Sequence, residues 1–232
     1  MITLRRSEDR GHADHGWLDA YHTFSFADYF DPDHVHFSVL RVLNQDRLAP
    51  GTGFPTHPHR DMEIVTYVLE GLLQHKDSLG NGSLIRPGEV QFMSAGTGVL
   101  HSEFNASQSE RLQLLQMWVF PRQKGTPPAY DQKSFPLAER EDRLRLVVSP
   151  DGRDGSIRIG QDASLYAGML AAGARVEQAL AQGRSAWLHV ARGRLALNGT
   201  ELGPGDGAAI QGEERLVLEG REEAELVLWD LP

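Results

Sequence analysis

The chain contains no cysteine. Disulfide frameworks, thiolate zinc sites and thiol nucleophiles are thereby excluded, and the composition fits a reducing compartment. No apolar run approaches the ~20 residues of a membrane-spanning helix. The polar start, Met1 through Arg10, has no apolar stretch of the kind a secretory leader carries. These absences lead to the expectation of a cytoplasmic protein with no membrane partner. Positive charge is also sparse: 23 Lys and Arg stand against 32 Asp and Glu, for a formal charge of −9. No basic block interrupts that balance, so direct nucleic-acid contact is not expected. A long amphipathic helix is lacking as well.

What the chain does hold is 232 residues, 40% of them hydrophobic, enough for one large domain or two small ones with a real core. Short strand-like runs cover 37–43, 63–69, 72–75, 88–93 and 111–120. Each is bounded by turn chemistry such as Leu79-Gly80-Asn81-Gly82, Arg86-Pro87-Gly88 or Gly96-Thr97-Gly98. This pattern predicts an all-β sandwich or barrel. Residues 121–143 break it with Pro121, Pro127, Pro128 and Pro136, and read as a connection between domains with a short strand near Tyr130.

The second half then repeats the first. Gly71-Leu72-Leu73-Gln74-His75 resembles Gly193-Arg194-Leu195-Ala196-Leu197, and Leu84 to Glu89 resembles Glu201 to Asp206. The Trp118 strand resembles the Trp229 strand. The order of strands and glycine turns is shared, which suggests two tandem β-barrel or jelly-roll domains, 1–133 and 134–232.

The histidines are unevenly placed. His57-Pro58-His59 puts two imidazoles on one face of an extended segment, since residues i and i+2 of a strand share a face. His101-Ser102-Glu103 does the same for an imidazole and a carboxylate. On neighbouring strands the two pairs would converge as four metal ligands. One His-x-His pair alone means little: ten histidines in this length give roughly 0.4 by chance. His34-Val35-His36 is such a pair, has no second constellation, and reads as loop. Strand parity leaves a further carboxylate open, because Glu63 shares the parity of His57 and His59. Where a pair should precede Trp187, the second half reads Val176-Glu177-Gln178-Ala179-Leu180, so that domain is expected to be metal-free.

Other notable residues have plainer readings. His12, His15 and His22 read as a packed N-terminal arm bonded to backbone, and Trp17, Phe24 and Phe26 as core. His75 and His189 read as strand residues without a partner at ligand spacing. Glu213-Glu214 and Arg221-Glu222-Glu223 read as solvated turns.

Gly51-x5-His57-x-His59-x3-Glu63 resembles the first cupin motif, and Gly98-x2-His101-x3-Asn105 the core of the second. Two departures are visible: Gly71 comes one residue late after Glu63, and Gly96 stands where the second motif usually has proline. The finer resemblance is to the pirin family of bicupins. It is carried by His15 to Asp19 with His22 to Phe26, by His57 to Ile64, by Met93 to Glu103, and by Ser149 to Ser156. The length is similar to the short bacterial members with quercetin 2,3-dioxygenase activity.

The resemblance implies a bicupin with its metal site in the N-terminal domain, the metal held by His57, His59, His101 and Glu103, and Glu63 outside the ligand set. It implies a divalent metal, Fe(II) first, with manganese, nickel, cobalt, copper or zinc compatible with the same donors. The implied activity is oxidative ring opening of a flavonol by O2, with Glu103 doubling as general base on the 3-hydroxyl. Two alternatives stand beside it: a metal- or redox-dependent interaction module like eukaryotic pirins, and a related small-molecule oxygenase for which quercetin is a surrogate. A monomer is expected.

Overall fold

The short apolar runs between glycine turns become strands, and little else forms. The computed structural model describes residues 1–232. In chain order the first strands are β1 (Ile2–Arg5), β2 (Gly11–Asp14), β3 (Leu18–His22), β4 (Leu40–Leu48), β5 (Gly53–Glu70), β6 (Leu73–Asp77), β7 (Gly82–Ile85), β8 (Glu89–Asn105), β9 (Leu112–Val119) and β10 (Ala129–Ser134). One helical turn, α1 (Leu137–Arg140), follows. Then come β11 (Leu144–Ser149), β12 (Ile157–Arg158), β13 (Ser164–Leu170), β14 (Arg175–Ala179), β15 (Ser185–Arg192), β16 (Leu195–Leu197), β17 (Thr200–Leu202), β18 (Gly207–Gln211), β19 (Arg215–Gly220) and β20 (Ala224–Leu231). No helix is long and apolar enough to cross a membrane.

The chain forms two compact units. One holds residues 11–134 and 159–161; the other holds 1–10, 135–158 and 162–232. In the first unit the sheet order is β2-β3-β4-β9-β5-β8-β6-β7, with β10 added to β8. The exceptional members are β5 and β8, 18 and 17 residues long and paired antiparallel along most of their length. Their pairing runs from Gly53 opposite Phe104 to Tyr67 opposite Val90, and β5 gives Val68 to one core cluster, with Leu48, Leu73 and Leu112, and Ile64 to a second, with Met93 and Val99 of β8.

The second unit repeats the pairing with its long strands divided. Its seven-stranded sheet runs β1-β18-β15-β20-β13-β11-β12, and a four-stranded sheet runs β14-β19-β16-β17. The hairpin β16–β17 corresponds to β6–β7, and β20, paired with β13 and β15, corresponds to β9, paired with β4 and β5. One glycine pair shows the equivalence in detail. Gly71 and Gly193 both have positive φ, +83° and +68°, and a Cβ on either would strike the backbone leading into β9 or β20. Only glycine accepts both constraints at once.

The N-terminus departs from the sequence reading, which joins residues 1–10 to the N-terminal domain. They lie in the C-terminal unit, where β1 pairs with β18 and Ile2 and Leu4 pack on that unit's core. Arg6 and the backbone of Ser7 both bond the Asp206 carboxylate, at 2.6 and 2.8 Å. The alternation Ile2-Thr3-Leu4 suits a strand with one buried face, and strand pairing is not restricted to sequence neighbours. In the first unit β10 occupies the equivalent place against β8.

Candidate metal centre

His57 and His101 face each other in the register of β5 and β8. Two register shifts bracket the histidine pair, one between Phe54 and His57 and one between His59 and Asp61, where Asp61 takes φ +64°. Bulges of this kind re-aim side chains. Here they hold His57 and His59 toward His101, with ligand nitrogens of all three within 4.8 Å of one another. Asp61 keeps its strained turn by accepting the Gly125 N–H at 2.8 Å.

The tautomer of His57 is fixed by chemistry. Its Nδ1 lies 2.8 Å from the Pro55 carbonyl, which can only accept, so Nδ1 carries the proton and Nε2 the lone pair. That Nε2 is 3.0 Å from His101 Nε2. Burial, and then the neighbouring His57, push His59 down to about 4. Burial, followed by His57 and His59, pushes His101 down to about 2. Both are therefore neutral at pH 7, the state in which an imidazole can ligate a metal.

Glu103 lies next to this group on β8, and a carboxylate oxygen of it lies within 4.8 Å of ligand nitrogens of His101 and His75. Burial raises its carboxyl to about 7, against the opposing pull of a hydrogen bond from Gln116. Oε2 accepts that bond at 2.8 Å, while Oε1 is buried without a partner. A buried carboxylate oxygen with no donor is costly unless something positive meets it. Neutral imidazoles beside such an oxygen form a donor set that fits a divalent cation.

Glu63 goes elsewhere. Its two oxygens accept the backbone N–H groups of Gly160 and Gln161 at 2.6 and 2.9 Å. Burial still leaves its carboxyl above the usual range, with those two bonds opposing the shift. Both of its oxygens are thus taken up by main-chain amides.

The histidines open on a cavity of about 320 Å³. Phe26, Phe54, Pro55 and Trp118 form its apolar walls, and Asn44, Asp46, Thr56 and Gln116 join His57, His59 and Glu103 as its polar groups. Phe26, read from sequence as core, is a wall of this cavity and meets Trp118 edge-on at 5.4 Å. Phe24 is core, 2% exposed, and Trp17 packs on the cluster around Leu18.

Other histidines separate cleanly. His34 bonds Asp31 and His36 bonds the Ser38 carbonyl, both in the loop before β4. His12 and His22 take side-chain partners, Asp19 at 2.7 Å and Asn44 at 3.0 Å. His189 is buried in β15 of the other unit, its pKa lowered by burial and then by Arg10. His75 was missed: it lies against His101, bonded to Asp77 and stacked on Tyr130 at 5.1 Å. The signal was His75-Lys76-Asp77, another pair two apart on one strand face.

A family model described as Pirin matches residues 3–119, and one described as Quercetinase C-terminal cupin domain matches 146–231. A quercetin 2,3-dioxygenase of Escherichia coli K12 is 47% identical over 232 residues, covering 100% of this chain and 99% of the relative. A pirin-like protein of Caulobacter vibrioides is 42% identical, with 99% of each chain covered. Among solved structures, the bacterial pirin YhhW of Escherichia coli in complex with nickel(II) superposes with a TM-score of 0.95 at 46% identity, covering 100% of this chain and 99% of that one. With the family model spanning the histidine-bearing unit and full-length relatives at this identity, the chain belongs to the pirin family.

Proposed function

We infer that the chain is a metal-dependent dioxygenase that opens the ring of a quercetin-type flavonol with O2. The observation that carries this reading is the cavity itself: an apolar, aromatic-walled slot with His57, His59 and Glu103, whose Oε1 has no partner, at its lining. His57, His59 and His101 would hold the metal and Glu103 would complete the set. Iron(II) is the expected ion; the nickel(II) in the YhhW crystal supports a divalent site of this kind. When bound, the metal supplies Lewis acidity that lowers the pKa of a phenol next to it.

The chain's own residues supply the rest. Phe26, Phe54 and Trp118 receive a flat ring system and keep water from its faces. Gln116 holds Glu103 by Oε2, so Oε1 is the atom left to take the 3-hydroxyl proton. The names of the E. coli and other relatives support the flavonol as substrate.

The test is O2 uptake by metal-loaded protein with quercetin. Stoichiometric loss of quercetin and O2, abolished in Glu103→Ala, is the expected result. Absence of O2 uptake with every reconstituted divalent metal sinks the reading.

A further inference from the structure

Behind His101, on the side away from the cavity, two buried side chains form a chain that the metal reading does not use. β6 runs antiparallel to β8 with His75 opposite Glu103 and Asp77 opposite His101. The side chains of His75 and Asp77 are both fully buried. Asp77 is surrounded by donors. Its Oδ1 accepts the N–H groups of Leu79 and Asn81 at 2.9 and 3.0 Å, and its Oδ2 accepts Asn81 Nδ2 at 2.8 Å. The fourth neighbour is His75 Nε2, 3.1 Å from Oδ2.

A carboxylate with this shell only accepts, so the proton of His75 sits on Nε2. His75, enclosed and stacked on Tyr130, is a neutral imidazole whose Nδ1 is then an acceptor. That Nδ1 lies 3.4 Å from His101 Nδ1. On its other side His101 Nε2 faces His57 Nε2 at 3.0 Å, whose own lone pair is fixed by Pro55. In the metal-free chain the His101 proton can be given to either neighbour. A cation that took both Nε2 lone pairs would leave Nδ1 to carry that proton and His75 Nδ1 to accept it.

We propose that Asp77 and His75 are a positioning relay: with His101 Nε2 turned to the metal, His75 Nδ1 accepts the His101 Nδ1 proton and holds the ring in that orientation. His75 is thereby excluded as a ligand, since both its nitrogens are engaged away from the cavity. Tyr130, brought in by β10, completes the clamp: its ring packs on His75 and its hydroxyl bonds Ser83 and Gln132. Outer partners of this kind affect metal affinity by about 10–100-fold in metalloproteins. The relay rests on the metal reading above for the state of His101; the Nε2–H tautomer of His75 is a property of the metal-free chain.

Two measurements test it. Long-range 1H–15N correlation spectra of the histidine-labelled full chain should show His75 as the Nε2–H tautomer without metal and His101 as the Nδ1–H tautomer once zinc is added. A His101 that stays Nε2–H with zinc bound, or a doubly protonated His75 at neutral pH, overturns the proposal. Nickel(II) competition titrations then compare wild type with His75→Phe, His75→Asn and His57→Ala. His75→Phe keeps a ring against Tyr130 but removes the acceptor, and should weaken nickel binding about 10–100-fold. His75→Asn restores an acceptor oxygen near the Nδ1 position and should recover part of that loss. Wild-type affinity in His75→Phe, or equal weakening in both variants, overturns the relay as mere packing. If His75→Phe does not fold, the wild-type spectra decide alone. Full nickel binding by His57→Ala would instead remove the metal reading and leave the His75 tautomer standing on its own.

Discussion

Gln116 donates from Nε2 to Glu103 Oε2 at 2.8 Å, and its own Oε1 accepts the Trp118 indole N–H at 3.1 Å. The indole can only donate, so it fixes which end of the amide is oxygen and turns the NH2 toward Glu103. Trp118 is thus both a cavity wall and the residue that orients the carboxylate's holder. Replacing Gln116 by Leu should free Glu103 to swing and weaken metal binding about tenfold, the low end for an outer hydrogen bond to a ligand. Gln116→Glu puts a second carboxylate against the first and should weaken it further at neutral pH. Nickel(II) competition titration of both variants reads the difference; unchanged affinity in Gln116→Leu would show that Glu103 needs no holder.

The two glutamates should respond oppositely. Glu103→Gln removes the buried unpartnered oxygen and should abolish stoichiometric metal. Glu63→Gln keeps the metal but turns an amide NH2 toward the N–H of Gly160 or Gln161. Leaving one buried backbone donor unmet costs about 1–3 kcal/mol, visible in urea denaturation. Metal content measured on the same two proteins checks the assignment, and loss of metal in Glu63→Gln alone would reverse it.

How far the site was legible follows from the same residues. Parity on extended chain brought His57 to His59 and His101 to Glu103, and the structure places both pairs on adjacent strands. Parity was silent on Glu63, because it assumes an unbroken strand. The bulge at His59 and Asp61 intervenes, and no period-2 pattern reveals it. The positive φ at Asp61 was equally hidden. The fold was read from turn spacing and the internal repeat, down to the match of Gly71 with Gly193. The placement of β1 was not, since nothing local in Ile2-Thr3-Leu4 says which sheet edge it will join. Ligand spacing does not single out His75, because its partners are Asp77 and His101 itself.

Gly53 offers a test of how tightly the site depends on the β5–β8 approach. A Cβ there would lie 2.5 Å from Phe104 Cα and would strike the Glu103 carbonyl oxygen. Both obstacles are backbone, so a side chain can be admitted only by parting the strands beside Glu103. Gly53→Ala should cost about 1–3 kcal/mol of stability, as overpacking does. It should also weaken metal binding, although no ligand is changed. Thermal unfolding and nickel titration measure the two effects; a stability loss with intact metal affinity would mean that the strand separation does not reach the ligands.

Asp46 sets a pH dependence with a definite sign. Its side chain faces the cavity, the residue is 5% exposed, and Oδ1 has no partner. Burial above all, then the charges of Glu103 and Asp19, raise its carboxyl from 3.8 to about 7. The folded state therefore binds a proton that the unfolded chain has released anywhere between those two values. Asp46 contributes its full stabilisation below about pH 4, loses it progressively as pH rises, and by pH 8 is a buried charge the fold must tolerate. A shift of this size corresponds to a few kcal/mol, at ~1.4 kcal/mol per unit. In metal-free protein Asp46→Asn should therefore match wild type near pH 4 and exceed it in stability at pH 8, flattening the pH profile between them. Urea denaturation across that range provides the comparison. A variant less stable than wild type at pH 8 would mean that the Asp46 carboxylate, ionised, has a partner in solution that offsets its burial.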